Sequence, residues 1–566
     1  MSDAPDTPTI RLTGQADAAL ETARVRLIAG AAIFALCMVV LAGRLVDLTL
    51  LRSGDAAPKR GQLAQVVNGE RGDITDRHGV LLATNLVTGS LYGDPRAVLD
   101  AAAAARKITR VLPDLSEADV RRKLESGKSF VWLKRNLTPS QQQQVNTLGI
   151  PGVGFHRESR RIYPQGTLAA HVLGYTDIDR HGIAGVEKYF DDTLATAKGR
   201  PLALSIDHRV QHALKDEIDR AVTEYRAIGG AGIVIDVQNG EIVALVSLPD
   251  FDPNAPTGTP ADTLFNRATL GVYELGSVFK IFNTAMALDA GTTDLNGGYD
   301  ATSPIRVARF EIHDDHAKKR WLSVPEIFMY SSNIGSAKMA LDAGMQRQRA
   351  FLGRLGLLNR LPIELPESGQ PLYPAQWREI NVMTVAFGHG IAITPLHLTA
   401  GVAAVINGGV YYPPTLVKRP ADQPAGGTRI MSAENSDKMR RLLRLTVTEG
   451  TGKKASVDGY LVGGKTGTAE KVGARGGYRK KALISSFVGA FPMHAPRYVV
   501  LAVLDEPRPT AATYGYATGG WVAAPAVRQI ITRVAPVLGV DPIDENAETA
   551  QRAMFVNVGG RKLASR

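Results

Sequence analysis

The chain has 566 residues, more than one hydrophobic core usually supports, so we expect two or more domains. Its 44% hydrophobic and 21% charged residues are typical of globular proteins and exclude wholesale disorder. A net charge of +11 would suit anionic lipid or polymer, but the basic residues are spread thinly and no zinc-finger or basic-zipper spacing occurs. We therefore expect no nucleic-acid partner, and a single cysteine excludes a disulfide framework.

An uncharged apolar segment near the N-terminus predicts a helix that spans a membrane. It runs from Leu27 to Gly43, at the short end of spanning lengths, and apolar residues continue beyond it. A cleaved signal peptide and a buried core helix are the alternatives, but the long polar stretch before it and the lack of a cleavage site favour an anchor. We assign residues 1–26 to a tail and 27–48 to the anchor. Basic residues flank both ends, so charge alone does not determine the orientation.

The region after the anchor predicts a first, β-rich domain. Strand-like Val66–Val67 leads to a turn at Asp76 and Gly79 and then to a second apolar run, as in a hairpin. Residues 96–150 alternate helical stretches with short turns. A helix capped by Asp207 closes the region, with these residues on its apolar face: Val210, Leu214, Ile218, Val222 and Tyr225.

Two β-rich runs around Asn239-Gly240 then predict a hairpin. We place the domain boundary just before it, which gives a first domain over 60–227 and a second over 228–540. The tail, 541–566, is polar and is expected to be loose.

The second domain is predicted to be an α/β (α+β) sandwich with one central antiparallel sheet. Ser277 to Ala290 is apolar almost all round, as in a core helix, yet begins with a serine and a lysine. That conflict between burial and polarity indicates a site. Strands flanking a helical middle predict helices on the faces of a sheet. The strands are expected at Tyr460–Val462, Ser486–Gly489 and Tyr498–Leu504, with a final helix over 524–538.

Three short motifs occur in order and widely spaced: Ser277-Val-Phe-Lys280, Ser331-Ser-Asn333 and Lys465-Thr-Gly467. Each alone is weak, because Ser-x-x-Lys and Lys-Thr-Gly arise by accident in chains of this length. The ordered set is typical of the serine acyl-transferases that penicillin blocks. We therefore predict a nucleophilic serine that carries an acyl group.

The residue types in these motifs support that chemistry. Ser277 and Lys280 share a helix face, and a lysine amine can take the serine proton only if it is neutral. Burial and a second cation, for which Lys465 is the candidate, would lower the Lys280 pKa. The hydroxyl of Ser331 can carry a proton to the leaving amine. Asn333 shares its side of an extended loop and can hold Lys280 or the substrate.

Lys465 to Thr468 follow an apolar run and are predicted to lie on an edge strand. Gly467 would leave the strand open to an extended peptide, which adds to such an edge by backbone hydrogen bonds. The side chains of Lys465 and Thr466 suit a carboxylate, and Thr468 extends the same binding surface.

Simpler interpretations compete at several of these positions. Ser277 could be an ordinary helix cap. Residues 459–466 match the phosphate-loop pattern, but a polar stretch precedes them and a glycine-rich one follows, so nucleotide binding is not expected. His313–His316 could chelate a metal, although such a polar loop is more often solvated. Gly388-His-Gly390 is too short for a dinucleotide motif. We expect no metal and no cofactor.

Taken together, these motifs resemble the class B penicillin-binding proteins, the monofunctional transpeptidases of bacterial cell-wall synthesis. Arg71–Ala83 and Gly182–Asp191 resemble the family's membrane-proximal and second pedestal motifs. Tyr273–Ser277 resembles the nucleophile segment, with Leu275 where the family usually has proline. Two further segments, Phe387–Leu396 and Ser331–Gly335, resemble the division-specific (septal) branch more than the elongation branch.

The resemblance implies a penicillin-binding transpeptidase/serine β-lactamase-like fold after an elongated pedestal (dimerisation-type) domain and one transmembrane helix. It implies that Ser277 attacks the D-Ala–D-Ala bond of a peptidoglycan stem peptide, forms a cross-link with a neighbouring amine, and is acylated by β-lactams. It also implies a cytoplasmic tail, a periplasmic catalytic domain on the inner membrane, and division partners that include a membrane glycosyltransferase.

Four alternatives remain open on this sequence. They are an elongation-type transpeptidase, a β-lactam-hydrolysing or β-lactam-sensing relative, a carboxypeptidase in which water replaces the acceptor amine, and a division scaffold without activity.

Overall fold

The computed structural model describes residues 15–46, 71–197, 199–307, 310–420, 422–423, 425–473, 477–558 and 561–563. The chain divides into two units, Met1–Gly69 and Glu70–Arg566. The predicted strand at Val66–Val67 lies outside the described residues.

The first unit contains one long helix, α1 (Gln15–Val46). Its segment Arg24–Gly43 has 20 residues with a mean hydropathy of 2.5, and none of that segment is buried. A helix of that length rises about 30 Å, the thickness of a bilayer's hydrocarbon core. By length and composition α1 is therefore able to span a membrane.

The second unit begins with the β-rich domain that the sequence predicts. Its sheet has the order β3-β2-β1-β5, and β4 also pairs with β2, over Thr84–Gly93. Helices α2–α4 cover one face, where Leu91, Ile108 and Leu133 form a separate apolar core. The elements are β1 (Ile74–Thr75), β2 (Leu81–Gly93), α2 (Ala101–Val111), α3 (Glu117–Leu124), β3 (Val131–Leu137), α4 (Pro139–Thr147), β4 (Val153–Ile162), α5 (Ala170–Leu173), α6 (Gly185–Tyr189), α7 (Asp191–Ala195) and β5 (Leu202–Ala203).

A buried ionic cluster connects the two motifs of this domain. The carboxylate of Glu187 is fully buried and accepts from Arg71 Nε at 2.7 Å and from Arg161 Nε at 2.7 Å. Arg71 also donates to Asp191 at 2.6 Å. Buried charges are tolerated only when they are paired in this way, which explains why two distant segments carry complementary charges.

Helix α8 (His208–Glu224) joins this domain to the next one. Asp207 caps it by accepting from the Arg209 amide, as predicted, and the predicted apolar face is the buried one. The turn at Asp76 contacts the junction directly. Asp76 pairs with the ring of His208 at 2.7 Å, and Arg77 donates to Glu241 at 2.6 Å.

The second domain is built on an antiparallel five-stranded sheet of order β14-β15-β16-β6-β7. Along β6, alternate residues face opposite cores: Ile233 packs with one set of helices and Val234 with α8 and the final helix. The predicted sandwich and the predicted hairpin are thus confirmed. The strands are β6 (Gly229–Asp236), β7 (Ile242–Leu248), β14 (Gly463–Val472), β15 (Tyr478–Phe491) and β16 (Tyr498–Asp505).

Helices and short strands fill the middle and the end of this domain. In chain order they are α9 (Ala261–Leu264), α10 (Lys280–Asp289), β8 (Gly298–Asp300), β9 (Ile305–Val307), β10 (Phe310–Ile312), β11 (Trp321–Ser323), α11 (Val324–Tyr330), α12 (Asn333–Ala343), α13 (Met345–Arg354), α14 (Glu379–Val385), α15 (Pro395–Ile406), β12 (Val410–Tyr411), β13 (Thr428–Arg429), α16 (Ala433–Thr448), α17 (Gly519–Val537), α18 (Glu548–Ala553), β17 (Val556–Val558) and β18 (Arg561–Leu563).

Two local predictions differ from the structure. Tyr460–Val462 is not a strand, because the chain turns there with Leu461 at φ 41° and β14 begins only at Gly463. The segment after 541 is not loose throughout its described part. It carries α18 and β17, and Met554 and Val556 are buried in the main core, because its apolar residues are spaced to pack inward among polar ones.

Candidate active site

The nucleophile candidate lies at a tight turn directly before a buried helix. Gly276–Phe279 forms a 3-10 turn, and α10 starts at Lys280. Gly276 has φ 61°, and a Cβ there would lie 2.3 Å from the carbonyl oxygen of Thr468. Only glycine fits this close approach. Ser277 lies inside the 3-10 turn, and the N-cap positions of the turn and of α10 are Leu275 and Phe279, so the interpretation of Ser277 as an ordinary cap is wrong.

The amine of Lys280 is enclosed by oxygen atoms. Its Nζ lies 2.9 Å from Ser277 Oγ, 2.6 Å from the Ser331 carbonyl oxygen, 3.0 Å from Ser331 Oγ and 2.7 Å from Asn333 Oδ1. The amide of Asn333 is oriented by its Nδ2, which donates to the His313 carbonyl oxygen at 3.0 Å. A neutral amine has two hydrogens, and the two shortest contacts are to atoms that only accept. Its lone pair therefore remains for a hydroxyl.

Burial lowers the pKa of Lys280 to about 7, against the opposing charges of Asp314 and Asp315. The Lys280 side chain is only 1% exposed, and desolvation disfavours its cationic form. A substantial fraction of the amine is therefore neutral near neutral pH, which a serine-activating base requires. The main cause is burial rather than a second cation.

Ser331 and Asn333 meet Lys280 by a different route from the predicted extended loop. Ser331 ends α11 in the left-handed conformation at φ 60°, Ser332 caps α12, and Asn333 is the first residue of α12. The reversal between two helices turns both side chains towards Lys280. Asp314 secures this reversal by accepting from Ser332 Oγ at 2.8 Å and from the Ile334 amide at 3.0 Å.

Lys465 completes the constellation from the sheet. It lies on β14, which is the edge strand of the sheet as predicted, and its Nζ donates to Ser331 Oγ at 2.9 Å. Burial first, and then the charge of Lys280, hold the Lys465 pKa well below its usual range. Ser331 Oγ thus bridges two amines that disfavour each other's protonation.

The remaining residues of the strand motif face two directions. Thr466 shares a hydrogen bond with Thr451 Oγ1 at 2.9 Å, and Thr468 Oγ1 accepts from the Gly519 amide at 3.0 Å. A Cβ on Gly467 would lie 2.4 Å from the Leu275 carbonyl oxygen. This glycine is therefore required by the chain's own nucleophile turn, whereas the sequence suggested only an approaching ligand.

One wall of the site was missed by the sequence reasoning. A Cβ on Gly388 would lie 2.2 Å from the Gly276 carbonyl oxygen, so the Gly388-His-Gly390 segment packs against the nucleophile turn. Glu274 accepts from the Gly390 amide at 3.0 Å and from the Tyr478 hydroxyl at 3.0 Å. The sequence did contain a signal for this wall, namely the two glycines on either side of His389. Gly388 and Gly390 have φ of 82° and 74°, a conformation that glycine adopts readily.

The other polar motifs have different structural roles in the described part of the chain. Asp314, from the His313–His316 loop, is used to cap α12. Lys465 and Thr466 lie within a strand, whereas a phosphate loop would precede a helix. Among the described residues, one group has side chains close enough together to bind a metal ion: Asp76, Asp207 and His208 at the domain junction. Its carboxylates are already hydrogen bonded to His208 and Arg209.

The two domains match known families. Residues 230–532 match the penicillin binding protein transpeptidase domain, and residues 66–203 match the penicillin-binding protein dimerisation domain. A relative from Caulobacter vibrioides, named "Probable peptidoglycan D,D-transpeptidase FtsI", is 41% identical over 86% of this chain and 84% of its own. The peptidoglycan D,D-transpeptidase FtsI of Escherichia coli (strain K12) is 31% identical over 92% of both chains.

Solved structures show the same fold. Penicillin binding protein 3 of Mycobacterium tuberculosis, complexed with aztreonam, aligns with a TM-score of 0.67 at 24% identity. The alignment covers 84% of this chain and 97% of that chain. The chain therefore has a known fold.

Proposed function

This chain belongs to the class B penicillin-binding proteins, and from that premise we propose that it is a septal peptidoglycan D,D-transpeptidase with Ser277 as its nucleophile. The single observation that carries the proposal is the enclosure of the Lys280 amine, 2.9 Å from Ser277 Oγ, in a pocket that lowers its pKa to about 7. The names of the relatives support the septal branch.

Acylation begins when the Ser277 hydroxyl transfers its proton to neutral Lys280 and its oxygen attacks the carbonyl carbon of the penultimate D-alanine. The developing oxyanion is stabilised by backbone N–H groups, for which Ser277 and Thr468 are the candidates because their backbones adjoin at Gly276. The proton passes through Ser331 Oγ to the leaving amine, and terminal D-alanine departs. An ester on Ser277 remains.

Substrate binding and base activation are coupled in this geometry. The terminal carboxylate of the donor peptide is bound beside Lys465, with Thr466, Gly467 and Thr468 forming the strand edge along which the peptide lies. A nearby carboxylate favours the cationic form of Lys465, and that charge disfavours protonation of Lys280. Binding of the donor peptide thereby keeps Lys280, the base that activates Ser277, in its neutral form.

The second half-reaction transfers the acyl group to an amine of a neighbouring stem peptide. The amine attacks the ester carbonyl, its proton returns through Ser331 and Lys280 to Ser277 Oγ, and an amide cross-link forms. Every group used in acylation is thus restored.

Labelling with a fluorescent penicillin tests the nucleophile. We expect stoichiometric, long-lived labelling of the wild type, none of Ser277→Ala, and wild-type labelling of the matched control Ser126→Ala, which changes an exposed serine of the first domain. Labelling of Ser277→Ala would place the nucleophile elsewhere.

Product analysis separates the reaction classes. With stem pentapeptide and an acceptor amine we expect D-alanine and an amide product in equal amounts. Hydrolysis alone would identify a carboxypeptidase, and rapid turnover of a chromogenic β-lactam would identify a lactamase.

We also propose that α1 is a single-pass anchor with the second unit on the periplasmic side, and that the first β-rich domain docks a membrane glycosyltransferase and other division proteins. The apolar segment Arg24–Gly43 supports the anchor. Protease added to intact spheroplasts should remove the transpeptidase domain. If that domain is protected from the protease, the proposed orientation is wrong and the domain lies on the cytoplasmic side.

A further inference from the structure

The segment after α17 contacts the chain where the catalytic strand begins. Glu545 lies in that segment, and its Oε1 accepts from the Gly459 amide at 2.9 Å and from the Leu461 amide at 3.4 Å. The Ile543 amide donates to the Gly459 carbonyl oxygen at 2.9 Å. The turn that leads into β14 is therefore held by the C-terminal segment.

The other carboxylate oxygen of Glu545 pairs with a buried arginine. Arg444, on α16, has a side chain that is 2% exposed, and its Nη2 donates to Glu545 Oε2 at 2.6 Å. Its Nη1 donates to the Val462 carbonyl oxygen at 2.9 Å. Burial lowers the Arg444 pKa, and the charge of Glu545 opposes that effect. One carboxylate thus neutralises the charge that secures the residue directly before β14.

The turn itself needs such support. Gly459 has φ 86° and Leu461 has φ 41°, a conformation that a leucine rarely adopts. Backbone of this kind persists only where the surroundings hold it. Here they are the Glu545 carboxylate, the Arg444 guanidinium and the Met493 amide, which donates to the Leu461 carbonyl oxygen at 3.1 Å.

We propose that Glu545 is a positioning residue of the transpeptidase: through Arg444 and the turn at 459–462 it holds β14 so that Lys465 reaches Ser331. This inference rests on the proposed function and deepens it. It assigns a role in the reaction to a segment that contains no catalytic motif.

Glu545 can influence Lys465 because the turn that it holds lies only a few residues before Lys465 along the chain. Lys465 is three residues after Val462 on a strand that pairs with β15 on one edge and is unpaired on the other edge in the described sheet, so the contacts at the strand's start add to β15 in fixing its position. The Lys465–Ser331 contact is 2.9 Å, and a displacement of about 1 Å at a catalytic group can cost about a hundredfold in rate. Without Glu545, the buried Arg444 charge is uncompensated and draws water or shifts the turn.

The test compares Glu545→Gln with Glu548→Gln, the same change three residues later, where the exposed carboxylate pairs only with exposed Arg552 in the described structure. Three quantities are measured: the second-order rate of acylation by a fluorescent penicillin, the labelled fraction at saturation, and the thermal midpoint. We expect Glu545→Gln to be acylated about tenfold more slowly at full final stoichiometry, and Glu548→Gln to match the wild type.

A purely structural role predicts a different result. If Glu545→Gln lowers the thermal midpoint while its acylation rate at a temperature well below that midpoint is unchanged, the positioning role is wrong. Equal rates for the Glu545→Gln and Glu548→Gln proteins would also contradict it. Should Glu545→Gln fail to fold, Glu545→Asp replaces it. We then expect acylation about threefold slower, and a wild-type rate would overturn the proposal.

A double substitution tests the route through Arg444. Arg444→Met/Glu545→Gln removes both charges, so we expect its rate loss to be smaller than the product of the two single losses. If the rate loss of the double variant equals the product of the two single losses, Glu545 does not act through Arg444. Failure of the proposed function is distinguishable, because it would appear in the wild type, either as a protein that penicillin does not label or as one that gives no amide product in the product analysis.

Discussion

At the scale of single residues, the amine of Lys280 has more acceptors than it can satisfy when neutral. Two of its four neighbours, the Ser331 carbonyl and the Asn333 amide oxygen, can only accept, so they take its two hydrogens. Two hydroxyls remain, and either can donate to the lone pair. One lysine can thus exchange protons with both Ser277, the proposed nucleophile, and Ser331, the proposed proton shuttle.

The acylation rate should increase with pH through about 7. Lys280 acts as a base only when neutral, and burial lowers its pKa to about 7, so the active fraction grows as pH rises. We expect a rise of about tenfold per pH unit below 7 and a plateau above 8. The measurement is the second-order rate of penicillin acylation from pH 5.5 to 9. A rate independent of pH over that range would contradict the assignment of Lys280 as the base.

Asn333→Asp should shift this profile to higher pH. The substitution places a carboxylate about where Asn333 Oδ1 now lies, 2.7 Å from Lys280 Nζ, and an adjacent opposite charge raises a lysine pKa by about 1–3 units. At pH 7 acylation should therefore be about 5–500-fold slower, and it should recover only above the raised pKa. The control is Asn146→Asp, at an exposed position of α4. An unshifted midpoint would mean that this side chain does not influence the base.

At the scale of elements, the site exists where three segments pack backbone to backbone. The nucleophile turn contacts β14 at Gly467 and the 388–390 segment at Gly388. In both places a glycine removes the side chain that would separate the segments. The 2.9 Å contact between Lys465 and Ser331 depends on this closeness.

Gly467→Ala should therefore open the site. The added Cβ would lie 2.4 Å from the Leu275 carbonyl oxygen, so β14 or the turn must move. We expect a loss of about 1–3 kcal/mol in the free energy of unfolding and acylation at least about tenfold slower. The control is Gly353→Ala in α13, where no atom lies within 4 Å of the added Cβ. Wild-type acylation by Gly467→Ala would show that the contact is not needed.

At the scale of the whole molecule, the described residues of the β-rich domain form a buried charge cluster and include none of the transpeptidase site. Glu187 is fully buried between Arg71 and Arg161, whose side chains are 3% and 2% exposed. Removing one partner of such a cluster leaves uncompensated buried charge. The stability of this domain and the chemistry of the next should therefore be separable by mutation.

Glu187→Gln should destabilise the protein without changing the chemistry. We expect a loss of about 3–5 kcal/mol in the free energy of unfolding of the first domain, with acylation per folded molecule unchanged. Glu125→Gln breaks an exposed pair with Arg121 and should change stability by less than about 0.5 kcal/mol. Chemical denaturation of both variants, with penicillin labelling below the transition, is the measurement. Equal stability of the two variants would contradict the role given to this cluster.

Local patterns in the sequence were sufficient for the larger part of the fold. The Asp207 cap, the hairpin around Asn239-Gly240 and the apolar helix after Ser277 depend on residues that are neighbours along the chain, so their signals are local. The three motifs and their order likewise singled out Ser277, Lys280 and Lys465, which the structure brings together and which we propose as nucleophile, base and strand lysine. These predictions needed only the periods of helices and strands and the chemistry of side chains.

Contacts between distant segments were decided only by the tertiary structure. That burial, rather than Lys465, is the main cause of the lowered Lys280 pKa, that Gly467 accommodates the Leu275 carbonyl, and that Glu545 neutralises Arg444 are facts about pairs far apart in sequence. Desolvation and close approach depend on everything that surrounds a group after folding. The amino-acid sequence by itself therefore determined which groups are candidates for the reaction, and the folded arrangement decided which atoms surround them and how their pKa values are shifted.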